Sequence, residues 1–349
     1  MPINLINLYS TRNIGDAAIL AALASMSPDR QAYARIPDLA PLPVPGLVAA
    51  DRCDPQAPLI SVGGDIFNNN RPWFFTRRFL DNLRELTADS DRTAVFGQSV
   101  PRSCRGLAFS SLARVMRRLP SITVRDEESW RRLRTAGVKA NLSHDAAFAL
   151  EPTADAEVRG ASILAAKGLA PAKTALFSLR GFDRMYPHDQ ELFNRAIGQT
   201  MTKLVAQGHQ CVILIQADAE GSDSDVAIAR KLQMTGLPVK TLDLVHDHTG
   251  NPVAEMIAVL ASANIVFAVR YHTAILRLVA GRMPVVISYS NKTRDLIDRL
   301  SLPGMNIEDM DADALIALGL QSAGKMFSPE GLRSSVRQSF AAMMKELGR

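Results

Sequence analysis

Short apolar runs, each closed by Gly, Pro, Asp or Ser, alternate with helix-patterned stretches along nearly the whole chain, and no other feature restricts the fold as much. The runs predicted as strands are Ile3–Leu8, Leu59–Val62, Thr93–Phe96 and Ile122–Val124, then Ala175–Leu179, Cys211–Ile215, Val239–Leu242, Ile265–Val269 and Val285–Ser288. They lack strict apolar–polar alternation, which is how strands covered on both faces read. Between them, Leu192, Phe193, Ile197, Met201, Leu204 and Val205 recur at helical spacing before Gly208, and Met256, Ile257 and Leu260 do the same. Strands joined through helices require parallel sheets with right-handed crossovers, so the expected class is α/β.

With 349 residues the chain exceeds one ordinary core, and with 47 % apolar and 21 % charged residues it has the material for two. Pro, Gly and acidic residues cluster in 151–160 and 168–173. The organisation expected is an N-terminal Rossmann-like lobe over 1–155, a C-terminal one over 156–320, and a terminal helix within 321–349, with a ligand cleft between the lobes. That helix, Gly331–Arg349, gathers Phe340, Met343, Met344 and Leu347 on one side, while the proline-rich Pro37–Pro58 reads as irregular.

The formal charge of +5 is mild, with no long run of like charges, no zinc-finger spacing and no aromatic-studded basic stretch. A nucleic-acid partner is therefore not expected, whereas anionic small molecules or headgroups suit such a surface. Cys53, Cys104 and Cys211 are scattered and odd in number, which fits a reducing cytosol better than a disulfide framework. The opening MPINLINLYS lacks the features of a signal peptide, and no apolar run is long enough to span a bilayer. A cytoplasmic location, at most on the inner membrane face, is the expectation. Arg71-Pro72-Trp73-Phe74-Phe75-Thr76-Arg77-Arg78 sets aromatics among arginines and offers a peripheral membrane contact; a helix start with its aromatics in the core explains it slightly better.

Open α/β sheets meet ligands at the carboxyl ends of their strands, so the residues following each strand carry the search for chemistry. In the first lobe these are Asn13, Gly15 and Asp16, then Gly63-Gly64-Asp65, Gln98-Ser99, Arg125-Asp126 and, after His144, Asp145. Glycines admit a ligand to the backbone and the polar groups can bind hydroxyls. Helix capping explains Asn13 and Asp16 equally well, tight turns explain the glycines, and a surface ion pair explains Arg125-Asp126. In the second lobe Ser178-Leu179-Arg180 closes one strand, and Tyr289 and Lys292 follow another. The richest corner is Arg270-Tyr271-His272-Thr273, between an apolar strand and a helix. Arg grips carboxylate or phosphate with two donors, a helix N-terminus offers N–H groups to anions, and His moves protons near neutral pH. A structural histidine bonded to a carbonyl is the plain alternative for His272. His246 and His248 resemble a metal pair, but no third ligand accompanies them.

Taken in order, these segments resemble the polysaccharide pyruvyl transferase family over about residues 8–295. The carriers are Asn13-Ile14-Gly15-Asp16-Ala17-Ala18-Ile19-Leu20, Gly63-Gly64-Asp65, Gly97-Gln98-Ser99-Val100-Pro101, Arg125-Asp126 with Ser129, Asp145-Ala146-Ala147-Phe148, Ser178-Leu179-Arg180 and Arg270 through Lys292. Two departures, Asp65 for a third glycine and no glycine before Pro101, fall in the first lobe. The resemblance implies a fold similar to the two-lobed B-type glycosyltransferases, phosphoenolpyruvate as donor, and a pyruvyl ketal on a bacterial exopolysaccharide or cell-surface glycan as product. It also implies that Arg180, Arg270 and His272 handle the donor.

On that reading His272 is the general acid, Arg270 and Arg180 clamp the donor, and Ser178, Tyr271, Thr273, Tyr289 and Lys292 complete its site. Asn13, Gly15, Asp16, Gly63, Gly64, Asp65, Gln98, Ser99, Arg125, Asp126 and Asp145 form the acceptor side. Phosphoenolpyruvate is a co-substrate, no step requires a metal or a resident cofactor, and the acceptor is a sugar, lipid-linked in one version. The main rival is a glycosyltransferase of the same shape using a nucleotide sugar, with Asp243, His246 and Asp247 near the ribose. A non-catalytic partner in a polysaccharide-synthesis complex is the second.

Overall fold

The computed structural model describes residues 2–51, 54–71, 74–182, 188–217 and 224–348. Cys53, Pro72 and Trp73, which entered the sequence reading, lie outside them. The chain divides into two compact units. The first comprises Met1–Thr11, Asp16–Leu150 and Glu330–Arg349; the second comprises Arg12–Gly15 and Glu151–Pro329.

In the first unit β1 (Ile3–Ile6) leads into α1 (Ile14–Met26), followed by β2 (Ala32–Ala34), β3 (Leu47–Ala49) and β4 (Leu59–Ser61). Then come α2 (Arg77–Thr87), β5 (Thr93–Gln98), α3 (Leu107–Met116), β6 (Ser121–Val124), α4 (Glu127–Thr135) and β7 (Asn141–Leu142). The described strands form one sheet in the order β3-β2-β1-β4-β5-β6-β7, all neighbours parallel. The chain reverses its direction of growth between β1 and β4, the switch point at which doubly wound sheets open a crevice. β3 falls inside 37–58, so that stretch is not wholly irregular; its exposed, three-residue edge strand has no apolar pattern to announce it. The core here joins Phe67, Phe79, Val95, Leu112, Ile122 and Leu133. The last helix, α12 (Glu330–Glu346), returns to this unit, where Phe340 meets Phe96 edge-on at 5.4 Å between centroids.

The second unit repeats the plan. Its elements are α5 (Ala156–Ala166), β8 (Thr174–Ser178), α6 (Gln190–Ala206), β9 (Gln210–Ile215), α7 (Asp225–Gln233), β10 (Lys240–Asp243), α8 (Pro252–Ser262) and β11 (Ile265–Ala268). They continue through α9 (Tyr271–Val279), β12 (Val285–Ser288), α10 (Asn291–Leu300), β13 (Gly304–Asn306) and α11 (Ala312–Ser322). The order β10-β9-β8-β11-β12-β13 is again all parallel, with its switch between β8 and β11. Phe177 of β8 stacks on Phe267 of β11 at 4.7 Å, centring a core with Ile197, Ile213 and Leu315. α5 crosses α8 at Gly160, where a Cβ would collide with the Ala258 carbonyl, so this crossing admits no side chain.

No described helix is long and apolar enough to cross a membrane.

Candidate active site

The switch point of the second unit collects most of the second-lobe residues singled out in the sequence. β8 ends in Ser178 and runs on to Arg180, and β11 ends just before Arg270, so the two arginines leave adjacent parallel strands at the same edge. Arg270 is the residue preceding α9, with an extended backbone, and Tyr271, His272 and Thr273 form the first turn of that helix. Next along the edge, β12 delivers Tyr289, and Lys292 stands in the first turn of α10. Thr293 fixes that turn by accepting the Tyr289 and Ser290 N–H groups at 3.2 and 3.1 Å.

Each cation is oriented by a different device. Arg180 donates from Nη1 to the Tyr289 hydroxyl at 2.8 Å, and its guanidinium carbon lies 4.6 Å from the centroid of the same ring. Arg270 donates from Nε to Asp225 Oδ1 at 2.7 Å and to the Leu179 carbonyl at 3.2 Å, and its Nη2 also meets Asp225. Asp225 is fully buried and accepts in addition the Gln216 and Ala217 N–H groups at 3.0 and 3.1 Å. Burial pushes its carboxyl above the usual carboxylate range, against the opposing pull of Arg270 and those N–H donors. The Nη and Nε edge of Arg270 is thus set by the protein before any ligand arrives. Lys292 Nζ lies 5.7 Å from the Tyr271 ring and 5.8 Å from the Tyr289 ring. Beneath them, Thr273 donates to Ser178 Oγ at 2.7 Å and bonds to Gln216, so Ser178 and Thr273 tie β8 and α9 together within the buried layer.

His272 is 8 % exposed, with its ring edge-on to Tyr271 at 5.5 Å. Its neighbour across the unit is Gly15. The segment Arg12–Gly15 belongs to the second unit by its contacts: Ile14 N donates to the Gln216 carbonyl at 2.9 Å and Asn13 bridges Ala217. A Cβ on Gly15 would stand 2.6 Å from Cβ and Cγ of His272, so the glycine is what lets the imidazole lie there. Asn13 caps α1, accepting the Gly15 N–H at 3.0 Å.

The first-unit candidates form a separate polar group at the ends of β4, β5 and β6. Arg125 is not a surface residue: it is 2 % exposed and pairs with Asp145 at 2.6 Å, Asp65 at 3.5 Å and Ser99 Oγ at 2.8 Å. Its sequence neighbour Asp126 instead caps α4 through the Ser129 N–H at 2.8 Å. The adjacent-charge reading fails because successive residues leaving a strand point to opposite sides. Gly64 lies under Arg125, where a Cβ would be 3.1 Å from Nη2, and Gly63 holds φ +107°. Gln98 donates to the Val62 carbonyl at 2.6 Å and accepts from Ser61 Oγ at 3.2 Å, lacing β4 to β5. Asp145 also accepts the Ala147 N–H at 2.9 Å. Asp16 stands in the first turn of α1, half-buried. Phe74 and Phe75 are 73 % and 37 % exposed, so these two aromatics do not enter the core, whereas Phe79, just beyond the run, does.

Asp225 and Gln216 are the site residues that the strand-end reading passed over. Gln216 directly follows β9 and the same rule reaches it; Asp225 opens α7 well beyond the strand end, and its tie to Arg270 spans 45 positions.

The family model of polysaccharide pyruvyl transferase matches residues 13–291. No curated protein matches the chain at a significant level. Among solved structures, HepE from Anabaena in complex with UDP-glucose is similar in fold at a TM-score of 0.57 and 11 % identity, covering 98 % of this chain and 100 % of that one. A UDP-forming α,α-trehalose-phosphate synthase from Burkholderia xenovorans is similar at 0.53 and 13 %, covering 85 % and 75 %. These neighbours share the α/β plan of two parallel-sheet Rossmann-like units found in B-type glycosyltransferases.

Proposed function

The chain belongs to the polysaccharide pyruvyl transferase family, and from that premise we propose that it moves the pyruvyl group of phosphoenolpyruvate onto two hydroxyls of a glycan sugar as a ketal, releasing phosphate. The observation that carries this reading is the row of Arg180, Arg270, His272 and Lys292 along one sheet edge, at the β8–β11 switch point and the N-termini of α9 and α10. Such a row suits a small ligand bearing both a carboxylate and a phosphate.

In the reaction proposed, His272 protonates the donor's methylene carbon. Positive charge then develops on the adjacent carbon, and one sugar hydroxyl adds there, forming a carbon–oxygen bond as its proton returns to the neutral His272. The second hydroxyl replaces phosphate on the same carbon, closing the ketal as the phosphate departs with the electron pair of its C–O bond and takes up that hydroxyl's proton. Arg180 and Arg270 hold the donor, with Lys292 beside the leaving phosphate. The fixed fork of Arg270 lowers the reorganisation needed during reaction. The glycan is a bacterial exopolysaccharide or cell-surface polymer, met at the inner membrane face if lipid-linked.

A nucleotide-sugar donor, as in the HepE complex, is the second reading. It is disfavoured by the acidic residues that a ribose would use. Asp243 accepts the Val245 and His246 N–H groups at 2.9 and 3.0 Å and bonds the His246 ring, while Asp247 pairs with Lys167.

Phosphate release from phosphoenolpyruvate, with a panel of bacterial glycans as acceptors, tests the proposal. Glycan-dependent release with a ketal in the product is expected. Release of UDP from UDP-sugars, with phosphoenolpyruvate inert, would transfer the assignment to the second reading.

A further inference from the structure

The loops after β1 and β4, which flank the switch point of the first unit, display aromatic rings to solvent. Tyr9 on the first loop is 56 % exposed, and Phe74 and Phe75 on the second are 73 % and 37 % exposed. Arg78, in the first turn of α2, reaches the first loop: its guanidinium carbon lies 3.4 Å from the centroid of the Tyr9 ring. The second loop is pinned from within. Buried Asn69 donates to the carbonyls of Arg71 and Phe74 at 2.7 and 3.1 Å and accepts the Thr76 N–H at 2.8 Å. Phe75 leans on buried Phe79, centroids 5.5 Å apart. Asn69 thus ties the backbone at Phe74 and Thr76 to the buried layer, while the Phe74 ring stays turned to solvent.

We propose that Tyr9, Phe74 and Phe75 form a stacking subsite for a sugar ring of an extended oligosaccharide acceptor, beyond the residue that is modified. The inference rests on the reading that the acceptor is a glycan. Pyranose rings present faces of C–H groups, and these lie well on the electron-rich faces of aromatic side chains. The subsite stands where doubly wound sheets take their ligands. A lipid surface fits the same residues less well. The apolar side of α2, Phe79 and Leu86, is spent on the core, and Arg77 and Arg84 both pair with Asp81 on the same helix.

The test compares the whole protein with Phe74→Ala and Phe74→Trp on an immobilised panel of bacterial polysaccharide fragments. Parallel pelleting uses phosphatidylcholine vesicles with and without phosphatidylglycerol. The expected result is capture of a subset of fragments, weakened roughly tenfold by Phe74→Ala and kept by Phe74→Trp. Equal capture by Phe74→Ala overturns the proposal, as does capture of no fragment. Pelleting with anionic vesicles that Phe74→Ala abolishes, without glycan capture, also overturns it and gives the surface to lipid. If captured glycans fail to stimulate phosphate release from phosphoenolpyruvate, the transfer reading fails while the subsite stands.

Discussion

Gly15 and His272 share a space that admits only a hydrogen atom on the glycine: a Cβ there would lie 2.6 Å from His272 Cγ. The short segment Arg12–Gly15, which joins the second unit by its hydrogen bonds, therefore sets where the imidazole can stand.

Gly15→Ala should displace His272 while α1, of which residue 15 is a helical part, still forms. If the imidazole is the general acid, turnover falls by about 10²–10⁴-fold, as for His272→Ala. Steady-state rates read alongside thermal melting test this. Wild-type turnover in a folded Gly15→Ala protein would remove His272 from the proposed role.

Asp225 and Arg270 should behave as one unit. Asp225→Asn leaves a guanidinium that is 7 % exposed without its carboxylate, at a cost of about 3–5 kcal/mol. Arg270→Gln in the Asp225→Asn background should then cost much less than either change alone. Denaturant titrations of the single and double variants measure this coupling, and additive costs would contradict it.

The Gly160 crossing makes a stability prediction independent of function. Gly160→Ala must push α5 away from the Ala258 carbonyl, and overpacking of this kind costs about 1–3 kcal/mol. Calorimetry should show a lower Tm, and an unchanged melt would mean that the helices separate more easily than their packing implies.

Burial pushes the Cys104 and Cys211 thiols up from 9.0 to about 12, for Cys104 against an opposing pull from Arg132. Both stay protonated in the folded protein where an exposed thiol ionises, so neither should react with a thiol reagent until the chain unfolds; mapping by mass spectrometry checks this. The sign for stability follows from a raised folded value. Their contribution is fully present below pH 9.0, and it is lost as pH rises toward about 12, because the unfolded chain ionises first.

The parallel-sheet plan was legible because strands covered on both faces are written as apolar runs: β8, β11 and β12 stand within a residue of where they were expected. The short strands β2, β3, β7 and β13 were not. Two or three residues such as Asn141–Leu142, both exposed, carry no such pattern. At the site, strand ends pointed to Arg180, Arg270 and His272, but not to what holds them. Asp225 is contributed by another element, and only folding brings it to Arg270. Arg125 shows the same limit from the other side. Its adjacent aspartate suggested a pair, whereas Asp145, at the end of the neighbouring strand, provides it. The exposure of Phe74 escaped the reading because core and surface aromatics look alike in a short run.

The return of α12 to the first unit has a consequence for the order in which the protein can be made. Phe340, Met343 and Met344 are buried on that helix, yet they are translated after every residue of the second unit. The first sheet therefore emerges from the ribosome early and must wait, with the place of Phe340 against Phe96 unfilled, until the whole second unit has been made. A chain cut after residue 329 keeps all thirteen described strands and loses the closing piece of the half that was built first.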